Sequence, residues 1–254
     1  MKPYIYLMKT CILTILLLIS GKLFAQKTME VKTGILQFRY YEDYSVLQAD
    51  PSVREGGYTK YFASGDKIMC TGFYKNNLKD GLWVEYRYNG MVEDSGYYKQ
   101  DRKTGIWAAY KSSGMLQIMY DYTKKDLLYL KRDSDYKTKI YTVIDSAGKK
   151  QTTLDRPPVY LDGESAFNRI IAVNVVYPAQ ARNNYIQGTV FIGVTINKEG
   201  AVSGYRLIKP LGYDCDESAL KAVKSLPGEW LPGILDGKSV TVEYEIAVSF
   251  RFGN

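Results

Sequence analysis

An internal repeat places the strongest constraint on the fold of this chain. Gly72-Phe73-Tyr74-Lys75 recurs as Gly96-Tyr97-Tyr98-Lys99, and Gly81-Leu82-Trp83 recurs as Gly105-Ile106-Trp107. The period is about 24 residues, which is typical of proteins that stack one supersecondary unit on the next. The middle of the chain is therefore predicted to fold as an array of similar units.

Each unit has the pattern of a β-hairpin. Residues 83–88 are aromatic and strand-like, and residues 92–98 supply the partner strand. Asn89-Gly90 between them predicts a tight type I′ turn, because both central residues of that turn need a positive φ. A single hairpin is marginal in water, so stacked repeats are needed to build a core. The pattern resembles bacterial MORN repeats, which implies an all-β hairpin domain over residues 30–145.

Tyrosine is unusually frequent, with 24 residues against 8 Phe and 3 Trp. Several tyrosines recur at one place in each unit, and we expect them to stack as a ladder across the sheet. The alternative is an aromatic face that binds glycan, peptide or lipid headgroups. The residues concerned are Tyr74, Tyr86, Tyr98 and Tyr110.

The first 25 residues have the pattern of a secretory signal peptide. Lys2 and Lys9 precede the apolar run Cys11–Ile19, and Ala25 marks the expected cleavage site. The run is shorter than the roughly 20 residues that a transmembrane helix needs. We therefore predict residues 1–25 as a signal peptide and the periplasm as the location. The alternative is an uncleaved inner-membrane anchor that leaves the protein facing the periplasm.

Composition argues against an enzyme. The chain has no His and 3 Cys, which removes most acid–base, Cys–His and zinc chemistry. We expect no catalytic residue, no metal site and no cofactor. The formal charge is +7, but no Lys/Arg cluster typical of nucleic-acid binding is present, so we expect no nucleic-acid partner.

The C-terminal part has the pattern of helices packed on antiparallel strands. Ser165 is placed to cap a helix whose apolar positions between residues 167 and 171 lie three and four residues apart. Pro178 suits the first turn of a second, short helix. Asp214 and Glu217 form a predicted capping box for a third. The polar residues 146–160 are predicted to link this part to the repeats.

The order of several motifs in residues 161–254 is similar to the TonB C-terminal domain, in the form common in Bacteroidetes-type bacteria. The motifs are Tyr177-Pro178, Ile186-Gln187-Gly188, Glu199-Gly200, Leu226-Pro227 and Trp230-Leu231-Pro232-Gly233. The resemblance implies a small α+β domain with an antiparallel sheet and two to three helices. It also implies a cell-envelope protein that supports transmembrane transport by binding an extended peptide of an outer-membrane receptor.

The final strand is the segment on which this function depends. Its even positions are apolar or aromatic, namely Val240, Val242, Tyr244, Ile246, Val248, Phe250 and Phe252. Because the strand is about twice the usual length, we expect part of its edge to be unpaired and open to an added strand.

The resemblance places the peptide contacts at Val242, Glu243, Tyr244, Glu245 and Ile246, with further contacts at Asn174, Val175 and Val176. Two alternatives stay open. The strand pairs with a second copy of the chain, or the protein is a periplasmic structural adaptor that uses the repeat sheet as its interaction surface, without energy transduction.

Overall fold

The computed structural model describes residues 27–35, 40–132 and 137–252. The predicted signal peptide at residues 1–25 lies outside this part of the chain. Within it the fold is mostly β, with antiparallel sheets and few helices, which confirms the predicted fold class at that level. The strands divide into a first sheet of ten strands, a second sheet of six and a two-stranded ribbon.

The first sheet is a meander in which nearly every strand pairs with its neighbours in sequence, in the order β1-β2-β3-β4-β6-β7-β8-β9-β10, with β5 beside β4. Its strands are β1 (Thr28–Ile35), β2 (Tyr40–Leu47), β3 (Arg54–Phe62), β4 (Ile68–Lys75), β5 (Leu78–Lys79), β6 (Gly81–Tyr86), β7 (Val92–Lys99), β8 (Arg102–Tyr110), β9 (Leu116–Asp121) and β10 (Asp126–Leu130).

The repeated glycines and tryptophans form pairs between neighbouring strands. A Cβ atom at Gly72 would overlap the ring of Trp83, and one at Gly96 would overlap the ring of Trp107. Each indole also donates a hydrogen bond from Nε1 to a backbone carbonyl, at 3.1 Å for Trp83 and 3.0 Å for Trp107. The two residue types therefore recur together because each tryptophan needs the space that a glycine leaves.

The predicted ladder contains tryptophan as well as tyrosine. Edge-to-face contacts with centroid distances of 5.0 to 6.3 Å join its rings. Its members, in order, are Tyr74, Trp83, Tyr98, Trp107 and Tyr122, and we call them the aromatic ladder. Tyr86 and Tyr110 are the last residues of β6 and β8 and lie outside it.

The turn prediction was wrong in one respect. At Asn89-Gly90 only the glycine has a positive φ, of 83°, and the strands on either side contain a bulge. The two-residue turns with both residues at positive φ lie instead in the links between hairpins, at Asn76-Asn77 and Gln100-Asp101. The extra residue of the bulge absorbs the twist that a type I′ turn would otherwise have to supply.

The remaining elements follow the first sheet in the chain. The strands are β11 (Tyr141–Asp145), β12 (Gly148–Thr152), β13 (Val159–Tyr160), β14 (Gly188–Ile196), β15 (Val202–Lys209), β16 (Trp230–Leu231), β17 (Gly233–Leu235) and β18 (Lys238–Phe250). The helices are α1 (Gly163–Asn174), α2 (Ala179–Asn183) and α3 (Cys215–Lys224). The second sheet has the order β12-β11-β18-β14-β15, with β17 beside β18, and β13 pairs with β16.

The hairpin β11–β12 belongs to the second sheet, because β11 pairs with β18. Tyr141 and Val143 are buried there against Leu154 and Val242. The sequence assigned residues up to 145 to the repeats and the next residues to a linker. The first sheet instead ends with β10, and burial of an apolar strand face against β18 is the physical reason.

Two predicted helix caps are also corrected. Helix α1 begins at Gly163, before Ser165, whose hydroxyl accepts a hydrogen bond from Arg87. Asp214 has φ 65° and makes no capping hydrogen bond, so the predicted capping box is absent at α3. Asp216 instead accepts hydrogen bonds from the backbone N–H groups of Leu211 and Gly212, which fixes the turn before the helix.

Candidate functional site

The last strand, β18, is central over its first half and open over its second. On one side it pairs with β14 from Val242 to Phe250. On the other side β17 covers residues 238–240 and β11 covers residues 241–243. From Glu245 to Phe250, no strand in the described part of the chain pairs on that second side. We call residues 245–250 the open edge.

The open edge lines a groove of 410 Å³. Tyr244, Glu245, Ile246 and Ala247 form one side of this groove. The remaining lining comes from β9 and β10 of the first sheet, from residues 157–160, from the start of α1, and from Lys131, Arg132, Lys139, Tyr141 and Trp230. The groove therefore runs between the two sheets and presents strand backbone along one side.

The side chains of β18 alternate as predicted. Val242, Ile246, Val248 and Phe250 are at most 3% exposed. The last three belong to the main core that includes the helices, whereas Val242 packs against Tyr141 and Val143 of β11. Glu245, Ala247 and Ser249 point to the opposite, exposed face of the sheet. The ring of Tyr244 packs edge-on against Trp230 at 5.3 Å. The strand is thus anchored through one face, while the backbone of its second half keeps an accessible side.

Only part of the predicted peptide site coincides with the open edge. The strand residues Val242 and Glu243 already have partners on both sides. The Glu243 carboxylate also accepts hydrogen bonds from Arg206 and, at 3.0 Å, from Lys149. The hydrogen bond from Arg206 is the main reason that the pKa of Glu243 is lowered. Glu245 and Ile246 begin the open edge, which continues through residues 247–250 beyond the predicted site.

The second predicted segment lies away from the groove. Asn174 ends α1, and Val175 packs against the main core. Both backbone polar groups of Val176 are bonded to the Ser218 hydroxyl, at 2.9 and 2.6 Å. None of the three residues lines the groove. The structure therefore does not bring residues 174–176 together with the open edge.

A second cavity, larger than the groove, lies over the aromatic ladder. Its volume is 1070 Å³, and it separates the inner face of β3–β9 from α1 and residues 227–232. Lys79 lies over the Trp83 ring at 4.1 Å and Lys103 over the Trp107 ring at 4.2 Å. We call this cavity the aromatic cleft. Tyr74 and Tyr98, two of the four predicted aromatic-face residues, line it.

Two ion pairs hold the two halves of the cleft together. Lys103 in the first sheet contacts Asp162 at 2.5 Å, and Arg169 on α1 contacts Glu93 at 2.6 Å. Val159 and Leu161 also pack into a buried cluster with residues of β8 and β9. The groove and the cleft thus both depend on contacts between the two sheets.

Among the described residues, no cluster of three or more Asp, Glu, Cys or His side chains is arranged to hold a metal ion. In the same residues, no helix has the length and apolar character needed to cross a membrane.

Comparison with known families decides what the C-terminal part resembles. Residues 173–252 match the family model of the Gram-negative bacterial TonB protein C-terminal domain. The predicted TonB-type domain is confirmed over this range, which contains all of the open edge. The family is associated with transport and is not catalytic. The Bacteroidetes type and the MORN-like nature of the repeats stay predictions.

A solved structure was also compared. The solution structure of the Helicobacter pylori TonB C-terminal domain, residues 179–285, is 24% identical and covers 35% of this chain and 81% of its own, with a TM-score of 0.25. A search among curated proteins found no match.

Proposed function

We propose that this protein is a TonB-type cell-envelope protein that binds an extended peptide by β-strand addition at the open edge, in support of transmembrane transport. The partner is an outer-membrane receptor or another envelope protein. The observation that carries the proposal is the second half of β18: from Glu245 to Phe250, no strand in the described part of the chain pairs with one of its sides. Unpaired strand backbone recruits a further strand because each N–H and C=O group seeks a partner.

The groove supports this edge as the place of addition. A new strand would lie about 4.8 Å from β18, in the direction of the groove. Its side chains would alternate between the two faces of the sheet, so only every second one would meet the groove walls. Main-chain hydrogen bonds would supply affinity, and the walls would select the sequence.

Within the second sheet, two other outer strands compete with the open edge, and charge separates them. Strand β12 carries Lys149 and Lys150, and β15 carries Arg206 and Lys209. Lysine and arginine on an outer strand discourage the approach of another chain. The open edge contains one charged residue, Glu245. It is therefore the less protected of the three.

Cysteine cross-linking tests the site and its register. Single cysteines replace Ala247 or Ser249, and the matched control replaces Ser203, an exposed residue of the outer strand β15. The native Cys70 and Cys215 are buried. The probes are synthetic peptides from the N-terminal segments of the outer-membrane receptors encoded in the same genome, each with one cysteine.

Strand addition predicts disulfides at 247 and 249. Moving the protein cysteine by two residues must move the reactive peptide position by two, because strands pair residue by residue. Cross-links at 203 alone, or at 247 and 249 without a fixed register, would refute the proposal. Cross-linking between two copies of the chain through residue 247 would instead support self-association.

A structural adaptor is the second candidate, and one surface favours it. The outer face of the first sheet carries four large apolar side chains that are 42 to 55% exposed, namely Phe73, Leu82, Tyr97 and Ile106. If this face is the working surface, replacing Phe73 and Tyr97 by Ser will release the envelope partner. The cross-linking variants at 247 and 249 will then retain it.

The proposed location is the periplasm. The support is the leader pattern of residues 1–25 together with the TonB-type domain. Intact mass spectrometry of the native protein from soluble periplasm and from membranes tests this. A mass without the leader in the soluble fraction supports a free periplasmic protein. A full-length mass in the inner membrane supports the anchored alternative.

A further inference from the structure

The aromatic cleft contains a pair of opposed carboxylates. Glu85 on β6 and Asp94 on β7 are direct partners in the strand register, and both line the cleft. Directly opposed side chains on one sheet face have Cβ atoms about 4.5 to 5.5 Å apart, and like charges at such positions repel. The arrangement is costly unless something neutralises it.

The neighbouring strands offer no partner for this pair. In the same row across the sheet, Cys70 on β4 lies opposite Glu85, and Ala109 on β8 lies opposite Asp94. Within the described part of the chain, neither carboxylate has a hydrogen bond or an ion pair. Asp94 is nevertheless only 7% exposed. A buried, charged and unpartnered group is among the most costly features that a fold can retain.

The nearest cations are engaged elsewhere. Lys103 contacts Asp162, and Arg169 contacts Glu93, the extra residue of the β7 bulge. Lys79 lies over the rings of Trp83 and Tyr98, at 4.1 and 4.9 Å. These cations attract the two carboxylates at longer range, but none of them forms an ion pair with Glu85 or Asp94 in the described part of the chain. Burial accordingly raises the pKa of Asp94 to about 7.

We propose that Glu85 and Asp94 form a binding site for a primary ammonium group on a small ligand that occupies the aromatic cleft. An ammonium group has three donors and one positive charge, which suits two carboxylates on adjacent strands. A divalent metal is a poorer fit, because calcium takes 6–8 oxygen ligands and magnesium near-octahedral coordination. The cleft volume of 1070 Å³ lies at the upper end of the range typical of small-ligand pockets.

The chemistry admits two sources of the ammonium group, and the probes distinguish them. Glucosamine represents an amino sugar, and Nα-acetyl-lysine amide represents a lysine side chain of a peptide. N-acetylglucosamine and the Nε-acetylated lysine derivative are the matched neutral controls. They keep nearly the whole shape of each probe and remove its charge.

Isothermal titration of the full-length processed protein at pH 8 measures binding of each probe. We expect at least one amine to bind, and its acetylated control not to bind. The variants Glu85→Gln and Asp94→Asn should each weaken binding about tenfold or more, since each removes one charge-assisted contact. Glu229→Gln is the matched control variant, because Glu229 also lines the cleft but is exposed, and it should bind as the parent does.

The pH dependence of amine binding supplies a second readout. The charged groups that face the pair from the packed elements are Lys60, Lys79, Glu93, Lys103, Asp162 and Arg169. Because the ammonium group and a proton compete for Asp94, amine affinity should fall as the pH decreases below about 7, the raised pKa of that group. In Asp94→Asn the fall near pH 7 should disappear, and any dependence that remains should come from Glu85, whose pKa is also raised by burial.

Three results would overturn the inference. Equal binding of an amine and its acetylated control would show that the charge is not recognised. Unchanged affinity in Asp94→Asn, which keeps the shape of the side chain, would show that the pair is not the site. Absence of binding by both amines at concentrations up to about 10 mM, well above the usual range for specific small ligands, would show that the cleft does not take this class.

Discussion

Substituting Gly96 by alanine tests the packing rule on which the repeats depend. The backbone of Gly96 does not require glycine, because its φ is not in the left-handed region. The added Cβ atom would instead overlap the ring of Trp107, which is 6% exposed and enclosed by the aromatic ladder. One of the two residues must therefore move.

The cost follows from what the indole would lose. Overpacking of a filled core costs about 1 to 3 kcal/mol. A displaced Trp107 also weakens its hydrogen bond to the Tyr97 carbonyl, worth about 1 kcal/mol. Its ring contacts with Tyr98 and Tyr122 contribute about 0.5 to 1.5 kcal/mol each. Since the ring can relax in part, we expect Gly96→Ala to lower the free energy of unfolding by about 3 kcal/mol.

Urea unfolding followed by tryptophan fluorescence measures this change. Gly57→Ala is the matched control, since Gly57 is also a strand glycine of the first sheet but has open space around its would-be Cβ atom. Gly57→Ala should leave the free energy of unfolding nearly unchanged. The double variant Gly96→Ala/Trp107→Val should lose much less free energy of unfolding than the sum of the losses of the two single variants. A loss below about 1 kcal/mol for Gly96→Ala, or full additivity, would refute the reasoning.

Three further predictions concern the carboxylates and the final strand. The pKa of Asp94 is raised from 3.8 to about 7, so the folded state retains a proton that the unfolded chain releases, and stability falls as the pH rises between these values. Asp94→Asn should therefore raise stability at pH 8, by up to about 4 kcal/mol, and little at pH 4; urea midpoints at the two pH values check this. The pKa of Glu243 is lowered from 4.5, so its ion pairs stabilise above that pH and are lost as the pH falls through the lowered pKa; Glu243→Gln should cost about 1 kcal/mol at pH 7 and nothing in strong acid. Ile246→Ala should cost about 2 to 5 kcal/mol in thermal or urea unfolding, whereas Glu245→Ala on the exposed face should be nearly neutral.

The open edge shows which features of a strand can be predicted from a local sequence pattern and which cannot. The alternation along β18 predicts which side chains are buried, because successive side chains of a strand point to opposite faces. It does not predict which strands lie beside β18. Thr142 to Ile144 pair with Thr241 to Glu243 across roughly 100 residues of sequence. That short contact covers Val242 and Glu243, and among the described strands the edge is open from Glu245.

The sequence by itself determined the repeating unit, the recurrence of its glycines and tryptophans, and the alternation of the last strand. These features are local, since they depend on residues that are neighbours along the chain or on adjacent strands of one hairpin. Only the tertiary structure decided where the first sheet ends, which half of β18 is open, and that Glu85 and Asp94 face each other in the aromatic cleft. Those outcomes depend on register and on packing between distant segments, and such contacts leave no periodic signal in the sequence.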